Sequence, residues 1–355
     1  MRRRAASLII TATLLAGCGS TADPGEPIAA ATSSAPVEQA VEQAVDPGAT
    51  AGVSGTAIPR PSAPATAACH GFPADNVWRA DVSKLPVHRS SSTYVASIGA
   101  SAAMHPDFGS GTWEGAPIGI PITQVKPGQA KVRVSFEYAS ESDRGPYPIP
   151  IDAKVEGGRS STGDRHVILV DAPGCRVYEL YAAYPSSDGT WRAGSGAVFD
   201  LRSNRLRPAG WTSADAAGLS VYAGLVRYDE VAAGRIDHAI RITVPRTRDA
   251  YVWPARHQAS VRTDAALPPM GLRLRLKASV DISRLPAQAR VVAAAMQRYG
   301  VIIADNGSSW YISGAPDDRW SNDALRALKG LHGSDFEAVD TSSLMVSKDS
   351  GAVKR

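Results

Sequence analysis

His166-Val-Ile-Leu-Val-Asp171, a turn at Ala172-Pro173-Gly174, and Arg176-Val-Tyr-Glu-Leu-Tyr181 read as a β-hairpin, and this reading decides the fold class. Both arms are rich in Val, Ile, Leu and Tyr, too short for a helix, and separated by turn residues. Working outward, Lys131–Tyr138 alternates polar and apolar residues, as a strand with one wet face must. Gly196–Leu201, Asp237–Val244 and Leu272–Lys277 give further strands, the last alternating leucine with cations. His238, Ile240, Ile242 and Val244 share one face of theirs. Val301–Ala304 and Ser309–Ser313 flank Asp305-Asn306-Gly307 and predict a second hairpin with Asn-Gly in its turn.

Helices are few. Pro286–Tyr299 is the clearest, with proline at its start, Gly300 past its end, and Ala289, Val292, Met296 and Tyr299 on one face. Thr212–Asp215 reads as a capping box, Tyr228–Ala233 as a short helix stopped by Gly234, and Ser321–Lys329 as a last helix. Isolated helices among antiparallel strands and Gly/Pro turns predict a mainly β chain, an antiparallel β-sandwich or jelly-roll-like domain. The absence of regular strand–helix alternation argues against a parallel α/β sheet.

The N-terminus carries an address. Arg2, Arg3 and Arg4 precede an apolar run from Ala5 to Ala16, too short to span a bilayer as a finished helix, so residues 1–17 read as an export signal. Leu15-Ala16-Gly17-Cys18 is similar to the lipobox of bacterial lipoproteins. That resemblance implies cleavage before Cys18, a lipid on its thiol, and a place in the bacterial cell envelope, periplasmic or at the surface. Residues 18–67 hold Ala, Pro, Ser and Thr and no aromatic residue, a tether composition. Residues 68–355 then form one globular β-rich domain. Of three cysteines, Cys18 goes to lipid, leaving Cys69 and Cys175 as a disulfide pair in an oxidising compartment. Loop-closure entropy gives such a long bridge up to roughly 4–5 kcal/mol.

The net charge of +4 rests largely on the leader: removing its three arginines from 38 basic residues leaves 35, against 34 acidic ones. No basic run with interleaved aromatics occurs, so nucleic acid is excluded as a partner. Gly-x-Ser-x-Gly, His-Glu-x-x-His, phosphate-loop and Gly-x-Gly-x-x-Gly signatures are absent as well.

What remains is a set of polar residues at strand ends, mixed with aromatics. Glu179, Asp200, Asp215, Glu230 and Asp305 are the candidate catalytic carboxylates. His166, Trp211, Arg227, Tyr228, His238, Arg241, Trp253, Arg256 and His257 are the candidate substrate-binding residues. Flat rings stack on sugar faces, fork-shaped donors hold hydroxyl or uronate groups, and two carboxyls at one cleft cleave a glycosidic bond. The pattern thus points to an envelope-anchored carbohydrate-active protein, a glycan-cleaving hydrolase acting on polysaccharide or glycoconjugate and touching the membrane through its lipid only. The alternative is a non-catalytic glycan- or protein-binding lipoprotein. Each residue also has an ordinary role open to it: Asp305-Asn306 as a turn, His238 as a core histidine, Arg256 and His257 as a structural pair. A metal held by His166 and Glu179 with His238 or His257 lacks ligand spacing, so no metal or cofactor is assigned.

Asp75-Asn-Val-Trp78, Met104-His-Pro-Asp-Phe-Gly109, Gly145-Pro-Tyr-Pro-Ile-Pro150, Trp211–Leu219, Gly224-Leu-Val-Arg-Tyr-Asp-Glu-Val231, Trp253-Pro-Ala-Arg-His257 and Ala304-Asp-Asn-Gly307 together resemble a family of secreted bacterial proteins without assigned function. The resemblance covers nearly all of residues 70–345. It implies a single exported domain and brings no catalytic assignment.

Overall fold

The hairpin forms as read. In the computed structural model, which describes Cys69 and residues 71–354, Val167–Asp171 pairs antiparallel with Arg176–Tyr181, from Val167 opposite Leu180 to Asp171 opposite Arg176. These residues fall in one compact unit, Pro64–Arg355. The export signal, Cys18 and the whole tether lie outside the described residues.

Ser195–Asp200 and Ile122–Gln124 flank the hairpin and complete a four-stranded sheet. Its central strands are buried on both faces, which is why Val-Ile-Leu-Val shows no polar alternation. Ile168, Val170, Val177 and Phe199 face the larger apolar core; Val167, Leu169, Tyr178 and Leu180 face a smaller one with Tyr147 and Trp191. Each fully buried aliphatic side chain contributes about 1.5–3 kcal/mol of transfer free energy. The disulfide between Cys69 and Cys175 ties residue 69 to the closed end of this hairpin.

A six-stranded sheet runs in the order His105–Asp107, Tyr311–Ser313, Ile240–Val244, Val301–Asn306, Arg273–Leu276, Phe336–Ala338. Here the sequence reading needs correction. Val301–Asn306 and Tyr311–Ser313 are not a hairpin, because Ile240–Val244 lies between them, parallel to the first and antiparallel to the second. The local reason is in the turn. An Asn-Gly hairpin needs positive φ at both residues, whereas here positive φ falls on Trp310 (φ 60°). The buried Trp310 indole donates to Gly99 O at 2.8 Å and pulls the chain away from its neighbour.

The sheets are also mixed rather than antiparallel throughout. The crossover from Ile240–Val244 to its parallel neighbour Val301–Asn306 is supplied by a connection containing the helix Ala287–Arg298. That helix buries Ala289, Val292 and Met296 and follows Pro286. Gly300 (φ +72°) ends it; a Cβ there would stand 2.2 Å from Leu274 O. Among the described residues strand therefore exceeds helix, with the strands arranged in several sheets, few short helices and no closed barrel.

No helix forms at Thr212–Asp215. The Ser213 hydroxyl accepts from Asp215 N–H, and the Asp215 carboxylate binds Arg241 instead of capping a helix. A helix starts only at Val221–Gly224, where Ser220 Oγ accepts from Ala223 N–H at 3.3 Å. Among the described residues no helix is long and apolar enough to cross a membrane.

Candidate functional site

At the open end of the hairpin the backbone is irregular, and the irregularity points a carboxylate outward. Arg165 (φ 51°) and Ala182 (φ 49°) occupy left-handed conformations, joined by Ala182 N–H to Asp164 O and Ala183 N–H to Arg165 O. The buried Arg165 guanidinium holds this shape. It donates to Ala183 O, Arg159 O and Ser161 O and lies over the Tyr184 ring, 4.2 Å from its centroid. Asp164 is left exposed, with no ion-pair partner among the described residues.

Asp164 borders a cleft of about 460 Å³ whose other walls come from both large sheets and their loops. Tyr181 ends the hairpin, Asp305 lies near the end of Val301–Asn306, and Asp215, His257, Glu141 and Tyr138 come from loops and the short helical turn Ala139–Glu141 with its cap. Behind the wall, Arg241 on Ile240–Val244 grips Asp215 with two nitrogens, donates to Ser313 Oγ at 2.6 Å, and stands 4.0 Å from Asp305 Oδ2.

The protonation states follow from these neighbours. Burial raises the Asp305 pKa, the Asp215 charge raises it further, and Arg241 offsets this only in part, leaving it at about 7. Its side chain is still 26% exposed, so this carboxyl of raised proton affinity faces the cleft. Burial would strip the proton from His166, but Glu156 at 2.6 Å outweighs it and holds the imidazole up at about 9. The other ring nitrogen donates to Ala214 O, so His166 is a fixed cation bracing the cleft floor. His257 donates from Nδ1 to Ala216 O at 2.9 Å, with Nε2 3.8 Å from Glu141.

A second cleft, about 650 Å³, gathers Arg227, Tyr228, Glu230 and His238 with Trp78 and Tyr222. The charges of Arg227, Glu230 and His238 are spent on one another. Arg227 pairs with Glu230, Glu230 lies 3.2 Å from His238 Nε2, and His238 Nδ1–H donates to Ala239 O. Burial would raise the Glu230 pKa, but His238 and Arg227 hold it below the ordinary value. Glu230 is thus a locked anion, poorly suited to donating a proton. His238 precedes the strand Ile240–Val244 rather than sitting in it, and its ring is part of this ion network.

The remaining candidates lie in neither cleft. Glu179 has no exposed surface; its carboxylate accepts from Ser220 Oγ and from Val221 and Tyr222 N–H, fastening a helix start to the sheet. Asp200 caps a surface turn with Arg202. Trp253 donates from Nε1 to Ser350 O, while Arg256 binds Asp349 and Lys348 O, so both fasten the C-terminal segment. Trp211 packs under the Arg207 guanidinium, 5.5 Å from its ring centroid. His166 and Glu179, suggested as joint metal ligands, have separate partners, and among the described residues no group of three His, Cys, Asp or Glu is placed to hold a metal.

Sequence reasoning did not single out Glu141, Tyr138 or Tyr181 as site residues. In the sequence Asp164 stands ahead of Arg165 and His166, outside any chemical motif. Comparison with known proteins adds no relative: no family model, curated protein or solved structure matches the chain.

Proposed function

We propose that this chain is a glycan-cleaving hydrolase of the bacterial cell envelope, held there by lipid on Cys18, and that it works in the cleft of Asp164 and Asp305. The observation that carries the reading is the contrast between these two carboxyls. Asp305, beside the Asp215 charge, has its pKa pushed up to about 7 by burial, whereas Asp164 stands exposed on the same cleft. Two carboxyls at one cleft, one with a raised proton affinity, are suited to acid/base cleavage of glycosidic bonds.

In this reading Asp305 donates its proton to the glycosidic oxygen as the C–O bond to the sugar breaks. Asp164 is the second carboxylate, taking the proton of the attacking water or attacking the sugar itself. Asp215 and Arg241 are positioning residues that set the Asp305 proton affinity, and His166 with Glu156 braces the floor beneath. Residues of both large sheets, Ile168 and Val177 from one and Ile242 and Ile303 from the other, share one apolar core. That supports a sandwich-like frame behind the cleft.

The test is to incubate the purified protein with bacterial and plant polysaccharides and follow new reducing ends by mass. Product from the unaltered protein is expected, with loss of at least about a hundredfold in Asp305→Asn and Asp164→Asn at unchanged melting temperature. Undiminished cleavage by both variants would move the chemistry elsewhere.

A further inference from the structure

The walls of the Asp164–Asp305 cleft carry an unusual charge balance for a sugar site. Glu141, Asp164, Asp215 and Asp305 line it, and none of the lining residues is lysine or arginine. The guanidiniums behind the wall are committed, Arg241 to Asp215 and Arg207 to Asp143 and the Glu141 and Thr212 carbonyls, and Asp164 is the lining carboxylate with no ion-pair partner among the described residues. His257, with one nitrogen given to a backbone carbonyl, is the basic group on the wall. The cleft also offers aromatic surface. Tyr138 is 47% exposed at its edge, and Tyr181 stands on the same wall as Asp164. Tyrosine rings of this kind pack on the C–H faces of sugars and ask for no charge.

From this cavity, its lining and its aromatic edge we infer that the cleft selects glycans free of uronate, sulfate and phosphate groups. The inference rests on the hydrolase reading above and narrows its substrate class. The physical reason is direct repulsion. An anionic substituent at about 5 Å from the exposed Asp164 carboxylate loses on the order of tenfold in binding. No cation on the wall is free to offset that loss, whereas uncharged hydroxyls gain acceptors. Of the arginines that the sequence offers for hydroxyls or uronates, Arg227 lies in the second cleft, Arg256 on the C-terminal segment, and Arg241 is committed to Asp215.

The experiment uses matched substrates: glucan, mannan and galactan, each beside the same polymer oxidised to uronate at its primary hydroxyls, at low and high salt. The expected result is cleavage of at least one neutral polymer, with its oxidised partner slower by about tenfold at low salt and the gap narrowing as salt screens the charges. Ala259→Arg places a cation at an exposed position on the cleft wall and should move that ratio about tenfold toward the oxidised polymer. Equal or faster cleavage of the oxidised polymers overturns the selectivity and leaves the hydrolase reading standing. A ratio that ignores both salt and Ala259→Arg overturns its electrostatic origin. No cleavage of any polymer overturns the hydrolase reading, and this inference with it.

Discussion

Arg241 holds Asp215 by a two-pronged contact, Nε 3.1 Å from Oδ2 and Nη2 2.8 Å from Oδ1, and neither side chain is more than 4% exposed. Removing one partner of such a pair leaves a buried charge with nothing to meet it. Arg241→Met should therefore destabilise the fold by about 3–5 kcal/mol, read from urea unfolding. A loss under about 1 kcal/mol would show that water reaches Asp215 and that the pair is not closed.

The same pair sets the chemistry of Asp305. Because the Asp215 charge helps raise the Asp305 pKa, Asp215→Asn should lower it and leave the positive Arg241 facing it. If Asp305 must be protonated to act, the alkaline limb of the activity profile lies near pH 7 and moves to lower pH in the variant. A limb that stays in place would separate Asp215 from the proton donor.

His166 makes stability fall at alkaline pH. Its folded pKa of about 9 lies above the ordinary 6.5, so the folded chain binds the extra proton. The stabilisation is complete below pH 6.5 and is lost as pH rises through 9, by up to about 3 kcal/mol. Unfolding free energies at pH 6 and above pH 9 should show that drop, and His166→Gln should flatten it. A wild-type curve level across this window would rule out the Glu156 partnership.

The disulfide joins residues 106 apart in the chain. The double variant Cys69→Ala, Cys175→Ala should lose about 2–5 kcal/mol, seen as a lower urea midpoint. An unmoved midpoint would mean that residue 69 gains nothing from being tied to the hairpin.

Gly300 and Gly330 provide a controlled comparison. A Cβ on Gly300 meets Leu274 O at 2.2 Å in a left-handed conformation, while one on Gly330 meets nothing within 4 Å. Gly300→Ala should cost at least about 2 kcal/mol and Gly330→Ala under about 0.5 kcal/mol by thermal unfolding. Equal costs would place the helix end differently.

Local pattern was enough for some of this molecule. The hairpin around Pro173-Gly174, the helix after Pro286 and the pairing of two cysteines depend on neighbours in sequence or on simple counting. The insertion of Ile240–Val244 between Val301–Asn306 and Tyr311–Ser313 does not, because strand periodicity says which face is apolar and nothing about which strand lies beside it. Glu179 shows the same limit. Its carboxyl looked chemical, yet its partner Ser220 is 41 residues away and serves a helix start. Trp253 and Arg256 had the composition of a sugar platform, and the same composition fastens a C-terminal segment. Asp215, Asp305 and His257 were legible as site candidates from residue type and position. The proton on Asp305 was not, since it depends on groups brought together from separate elements.

The proton on Asp305 is also the quantity to measure first. Carbon-13 NMR of aspartate side-chain carboxyls, with the Asp305 resonance assigned by its loss in Asp305→Asn, reports the titration without any substrate. A carboxyl that titrates near pH 7 is the expected result and gives the cleft its acid. One that titrates below pH 5 would contradict it, leaving Asp305 ionised at neutrality and without a proton to donate.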